Sequence, residues 1–187
     1  MVEEVMSYLA PAPGDVIVDC TLGGAGHSRV IAGGIGPEGV LIGIDRDRRA
    51  LEAAAVALAD APCPVCLVHG DYGDIEDLLR QLGHGAPDGV LFDLGVSSHQ
   101  LDAAERGFTY REDTPLDMRM DQESQLTAAH IVNTASVRDL ERVIFDYGEE
   151  RWAARIAEFI VRERSQRPIT TTTALVQVIK KAVPSGA

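Results

Sequence analysis

Apolar residues in the first hundred positions gather into short runs set between stretches of helical period. Residues 16–20, 40–45, 65–69 and 89–94 are apolar almost throughout, as strands buried on both faces are. Helical patterns fall between them, near 27–33, over 47–60 and over 74–82, the last with Asp74 placed as its N-cap. Strands and helices in alternation predict an α/β unit with a parallel sheet. After about residue 104 the pattern changes. Residues 105–125 read as a polar loop, long for a compact domain and so a place to look for function. Helical periods follow near 126–133, 136–146, 149–165 and 173–183, and no strand pattern returns. The expected organisation is an α/β region over 1–104 and a helical region over 105–187. A sheet of four parallel strands would leave an open edge, which sheets usually cover or extend.

Composition places the chain among globular proteins: 187 residues, 45% hydrophobic and 25% charged. No apolar run approaches the ~20 residues of a membrane-spanning helix. Met1-Val2-Glu3-Glu4 lacks the basic start and apolar stretch of a secretory signal. Three cysteines form no disulfide framework, so a reducing cytoplasm is expected, without membrane association. The net charge of −12 argues at first against a polyanionic partner. Its distribution alters that picture. Residues 1–104 carry 16 acids and 5 arginines, whereas residues 151–187 carry 7 bases and 2 acids. An acidic half is joined to a half that ends basic, which either contacts a polyanion or is a solvated helix face.

Candidate chemistry lies at the carboxyl ends of the predicted strands, where open parallel sheets bind ligands. Gly23-Gly24-Ala25-Gly26 follows the first strand, Asp45 ends the second and Asp93 lies in the fourth. Glycines let a backbone turn tightly against a ligand, and an acid after the second strand can accept both hydroxyls of a ribose. A dinucleotide fingerprint would need glycine at position 29, which is Arg29. This counts against a nicotinamide dehydrogenase. Asp19, inside the first strand, instead matches the acid of S-adenosylmethionine enzymes, and an acidic half suits a cationic cofactor. Cys63-Pro64-Val65-Cys66, with His69 nearby, offers a metal or redox alternative. It lacks a second ligand pair, so no metal is expected.

Several longer strings occur in order: Asp19-Cys20-Thr21-Leu22-Gly23-Gly24-Ala25-Gly26-His27-Ser28, Ile44-Asp45-Arg46-Asp47, Leu91-Phe92-Asp93-Leu94-Gly95-Val96-Ser97-Ser98-His99-Gln100-Leu101-Asp102, Ala104-Glu105-Arg106-Gly107-Phe108, Pro115-Leu116-Asp117-Met118-Arg119-Met120-Asp121 and Tyr147-Gly148-Glu149-Glu150-Arg151. Together they closely resemble the MraW/RsmH family of bacterial methyltransferases, over essentially the whole chain. The resemblance implies a Rossmann-like class I methyltransferase fold, of which the first four strands are present, with an α-helical inserted domain. It implies methyl transfer from S-adenosylmethionine to the exocyclic N4 of a cytidine in 16S ribosomal RNA of the small ribosomal subunit, and it leaves a homodimer open. Cofactor contacts carry over to Ala25, Gly26, His27, Asp45, Tyr72, Asp93 and Gln100. Asp93 is the candidate catalytic residue, either meeting the target amino group or only binding cofactor.

The chain departs from the family at position 99, His in place of the usual Pro, and at position 25, Ala where Gly is common. The family also has a short segment ahead of residue 1 and continues well past residue 187. The chain is therefore expected to be a truncated form, and a fragment that binds cofactor or RNA without turnover is the alternative to an active enzyme.

Overall fold

The computed structural model describes residues 2–184, with the side chains of Ser98 and His99 outside that description. The chain divides into two compact units, the first ending at Ser97 and the second beginning at Ser98.

In the first unit the apolar runs become four parallel strands, β1 (Val16–Asp19), β2 (Val40–Asp45), β3 (Val65–His69) and β4 (Gly89–Leu91). Their order is β3-β2-β1-β4. The chain winds outward from β1 through β2 to β3, then returns to the other side of β1. That reversal makes the β1–β4 boundary the topological switch point of a Rossmann-like sheet, and ligands of such sheets bind beyond the carboxyl ends there. Helices α1 (Val2–Leu9), α2 (Gly26–Ile35), α3 (Arg48–Ala57) and α4 (Ile75–Gln81) accompany the strands. Ile17, Ile31, Ile35 and Leu41 form one buried cluster, and Val18, Ile42, Ile44 and Leu79 form another. Alternate residues of β1 and β2 fall in different clusters, as two buried sheet faces require.

Two local readings are corrected in this unit, and one helix is added. The fourth strand ends at Leu91, not at 94, because β1 itself ends at Asp19. The last backbone bond between the two strands runs from the Cys20 amide to the Leu91 carbonyl, 2.9 Å. Phe92, Asp93 and Leu94 leave the sheet and are exposed. Asp74 does not cap α4 with its side chain. Asp71 caps instead, accepting the Gly73 amide at 2.9 Å at the start of a 3-10 turn over Tyr72–Asp74. Helix α1 has no counterpart in the sequence reading, since eight residues without a cap signal give little period to detect. Its Leu9 packs so closely on β4 that a Cβ on Gly89 would lie 2.7 Å from Leu9 Cδ1.

The second unit is helical among the described residues: α5 (Ser98–Asp102), a 3-10 turn (Ala104–Arg106), α6 (Ala128–Thr134), α7 (Val137–Asp146), α8 (Ala153–Arg164) and α9 (Thr172–Ala182). Thr127, Ser136 and Thr171 cap α6, α7 and α9 through side-chain oxygens, satisfying amides that each helix start leaves open. Helix α8 begins at Ala153 rather than at 149, because Glu149 has a left-handed backbone (φ 50°) that no α-helix continues. Leu116, Leu140, Ile156, Ile160, Ile169 and Val178 share the core.

The polar segment 105–125 is closely tied by its own arginines. Buried Arg106 donates from one guanidinium nitrogen to the carbonyls of Arg119 and Met120, both at 2.9 Å. Arg119 is paired with Asp117 at 2.7 Å and donates to the carbonyls of Gln122 and Ser124. The guanidinium beside Asp117 holds that carboxyl below its ordinary value.

Candidate functional site

The site grows out of the end of β1. Asp19 is the last residue of the strand and only 1% exposed. Its Oδ2 accepts the Ser28 hydroxyl at 2.6 Å and its Oδ1 accepts the Thr21 amide at 3.1 Å. Burial pushes the Asp19 carboxyl up from its ordinary value, with the bonds from Ser28 and Thr21 opposing. Asp19 thus joins the end of β1 to the first turn of α2 and holds both ends of the glycine loop.

Two further contacts shape that loop. Leu22 lies over Gly43 of β2, where a Cβ would come 2.7 Å from Leu22 Cδ1. Only glycine permits this approach, because the nearest atoms belong to a buried side chain. Ala25 is wholly buried with a left-handed backbone, φ 60° and ψ 26°. This conformation is unstrained for glycine and strained for alanine. Gly26 follows as the exposed first residue of α2, and a Cβ there would meet nothing within 4 Å.

Asp45, at the end of β2, reaches back to the same loop. Its Oδ2 accepts the Gly23 amide and its Oδ1 the Asp47 amide, each at 2.9 Å. A carboxylate oxygen has two acceptor directions, so both oxygens keep capacity for ribose hydroxyls. Asp47 in turn caps α3 by accepting the Arg49 amide at 3.1 Å.

Asp93 approaches from the β4 side of the switch point. Its amide donates to the Thr21 hydroxyl at 2.7 Å, and its half-exposed carboxylate lies 3.6 Å from His27 Nδ1. The other ring nitrogen of His27, Nε2, is buried without a hydrogen-bond partner, and a polar atom left so in a crevice is one that a ligand can satisfy. Tyr72, just after β3, meets Phe92 edge-on, with ring centres 5.6 Å apart and planes at 84°. Both rings are partly exposed, 38% and 48%, and present an aromatic surface that a planar base can pack against. Ala25, Gly26, His27, Asp45, Tyr72 and Asp93 therefore belong to one connected set at the carboxyl end of the sheet. Gln100 lies on α5 of the second unit, where it is buried.

A family model described as the MraW methylase family matches residues 1–187. The chain belongs to the MraW methylase family. It is 55% identical over 184 residues to the ribosomal RNA small subunit methyltransferase H of Geotalea daltonii, an alignment covering 98% of this chain and 59% of that protein. Identity is 54% over 187 residues to the protein of that name from Geotalea uraniireducens, covering 100% of this chain and 60% of that one. With the Symbiobacterium thermophilum protein it is 52% over 187 residues, covering 100% and 59%. The chain spans about three fifths of the length of the curated relatives it matches. Ala25 occupies the left-handed position that glycine adopts freely.

Three residues with a part in this site drew no individual reading from the sequence. Ser28 and Thr21 act through Asp19 and Asp93, and Phe92 completes the aromatic pair. For Phe92 a signal existed, an aromatic next to Asp93 in an apolar run, though the strand ends three residues sooner than expected. Thr21 gave none, because its partner is 72 positions away. The Cys-x-x-Cys pair turns out to consist of free thiols. Burial pushes the Cys63 thiol up, and the Cys20 thiol up to about 12 with the Asp19 charge adding to burial.

Proposed function

We propose that the first unit binds S-adenosylmethionine and that the chain carries the methyl-transfer site for the exocyclic N4 of a cytidine in 16S ribosomal RNA. The observation that supports this best is the convergence of Asp19, Asp45 and Asp93 on one glycine loop at the switch point of the sheet. Three carboxylates there suit a cationic sulfonium and a ribose, and not a pyrophosphate, which seeks a positive helix start. The aromatic pair and the orphaned His27 Nε2 fit an adenosine.

Bound S-adenosylmethionine supplies an electrophilic methyl group. The chain's own residues bind and orient. Asp45 accepts from the ribose hydroxyls, Tyr72 and Phe92 pack on the base, and Ala25 and Gly26 keep the loop low enough for contact. The cytosine amino nitrogen is a weak nucleophile because its lone pair is drawn into the ring. Holding it in line accounts for most of the acceleration, since orientation alone contributes about 7–11 kcal/mol in intramolecular models. Asp93 accepts a hydrogen bond from that amino group, raising electron density on nitrogen, and takes the proton released as the new bond forms.

The second unit supplies the RNA contact. Helix α8 exposes Arg155 and Arg162 on either side of Phe159, their guanidinium carbons 5.3 and 4.1 Å from the ring centre. Arg151 packs likewise on Trp152 at 5.5 Å. Arginine over an aromatic ring offers both a phosphate ligand and a flat surface for an unpaired base. Arg164 does not belong to this set. Its guanidinium donates to the carbonyls of Val132 and Ala135 at 2.6 and 2.7 Å, closing the end of α6. Reversing Arg155 and Arg162 together to glutamate should weaken RNA binding at least about ten-fold and flatten its salt dependence by about two counterions. Filter binding across a salt series checks this, and unchanged affinity would refute the contact.

The function itself is tested by incubating the chain with methyl-labelled S-adenosylmethionine and small ribosomal subunits that lack the modification. Label is expected on N4 of a single cytidine. Label on another base would refute the target, and cofactor binding without any transfer would establish the non-catalytic alternative.

A further inference from the structure

We propose that Thr21 is a positioning residue for Asp93, a side-chain tether that carries the β1–β4 pairing one step beyond the end of the sheet. The proposal rests on the reading of Asp93 as the group that meets the target amine.

The regular ladder between β1 and β4 stops where the Cys20 amide donates to the Leu91 carbonyl, 2.9 Å. At the next residue the backbone turns inward, and the Thr21 amide bonds Asp19 Oδ1 at 3.1 Å instead of a strand neighbour. The Thr21 hydroxyl then acts in place of a main-chain carbonyl and accepts the Asp93 amide at 2.7 Å. A hydroxyl that accepts from an amide has its own proton to place. Here the Asp19 Oδ1 lies 3.5 Å from Thr21 Oγ1, at the outer limit of a hydrogen bond. The buried carboxylate therefore favours the one rotor orientation in which the Thr21 lone pair faces Asp93. Asp19 is itself fixed through its second oxygen by Ser28 at 2.6 Å. Phe92, Asp93 and Leu94 are all exposed, so burial does not place Asp93: the Thr21 hydroxyl holds its backbone amide, and its carboxylate has the His27 ring 3.6 Å away. Valine, of the same shape, would fill the space and lose the tether. Serine would keep it.

Thr21→Val and Thr21→Ser are compared in methyl transfer to small ribosomal subunits, with exchange of the Asp93 amide followed in parallel. A misplaced reacting group costs roughly ten- to a hundred-fold in rate. Thr21→Val is expected to lose that much in kcat, with KM for S-adenosylmethionine within about two-fold and the Asp93 amide exchanging faster. Thr21→Ser is expected to match the unsubstituted chain in all three. Full kcat in Thr21→Val, equal impairment of the two variants, or an Asp93 amide as protected as before would each overturn the tether. Absence of transfer by the unsubstituted chain would overturn the methyltransferase reading instead, and amide exchange would still decide whether Thr21 holds Asp93.

Discussion

Asp45→Ala is expected to weaken S-adenosylmethionine binding at least about a hundred-fold, because two bonds from ribose hydroxyls to a charged acceptor contribute roughly 1.5–3 kcal/mol each. The residue has a second task that adds to the loss. Its Oδ2 holds the Gly23 amide and its Oδ1 the Asp47 amide, both at 2.9 Å, so removing the carboxylate also loosens the loop that the cofactor lies against. Asp45→Asn separates the two tasks. The amide keeps one oxygen for a loop N–H and loses half the acceptor capacity, so it should fall between alanine and the unsubstituted chain. Titration calorimetry on the three proteins reads the order directly. An Asp45→Ala chain that binds as tightly as the original would mean the ribose lies elsewhere.

Asp19→Ala should have the largest effect on stability. It strands the Ser28 hydroxyl and the Thr21 amide, both bonded to a carboxylate that is 1% exposed. Leaving two buried donors unpaired costs about 1–3 kcal/mol each. Against the roughly 5–15 kcal/mol that holds a domain folded, this is enough to leave the first unit marginal. Denaturant unfolding measures it. The pH dependence has a definite sign. Burial raises the Asp19 carboxyl above 3.8 in the folded chain, so folded protein keeps the proton where unfolded chain has released it. This group favours folding most below 3.8, and its contribution is lost as pH rises through the raised native value. Asp19→Asn removes the titration, and its stability should not show that decline. A decline of equal size in Asp19→Asn would assign the effect to another group.

The sheet was legible because its strands are buried on both faces and so carry unbroken apolar runs. β2 and β3 fall where the pattern puts them, at Val40–Asp45 and Val65–His69. The end of β4 was not legible. Phe92 and Leu94 are as apolar as strand residues, and the place where pairing stops is set by the turn of the neighbouring strand at Thr21, a tertiary event. The same holds for α8, whose start is fixed by a left-handed Glu149 rather than by helical period. In the site, Asp45 could be read from its distance behind the glycine loop, because chain connectivity imposes that spacing on every such sheet. Thr21 and Ser28 could not, since their contribution is a bond to a buried acid and residue type alone does not reveal it. Charge gave the arginines of α8 but not their division of labour. Arg155 and Arg162 lie on the exposed face of the helix, whereas Arg164 is spent on α6.

The central claim is that the carboxyl edge of this sheet is a site for S-adenosylmethionine. Equilibrium dialysis of the chain against labelled S-adenosylmethionine, with S-adenosylhomocysteine and nicotinamide adenine dinucleotide as competitors, tests it most directly. One saturable site per chain is expected, emptied by S-adenosylhomocysteine and untouched by the dinucleotide. No saturable binding, or displacement by the dinucleotide alone, would contradict it.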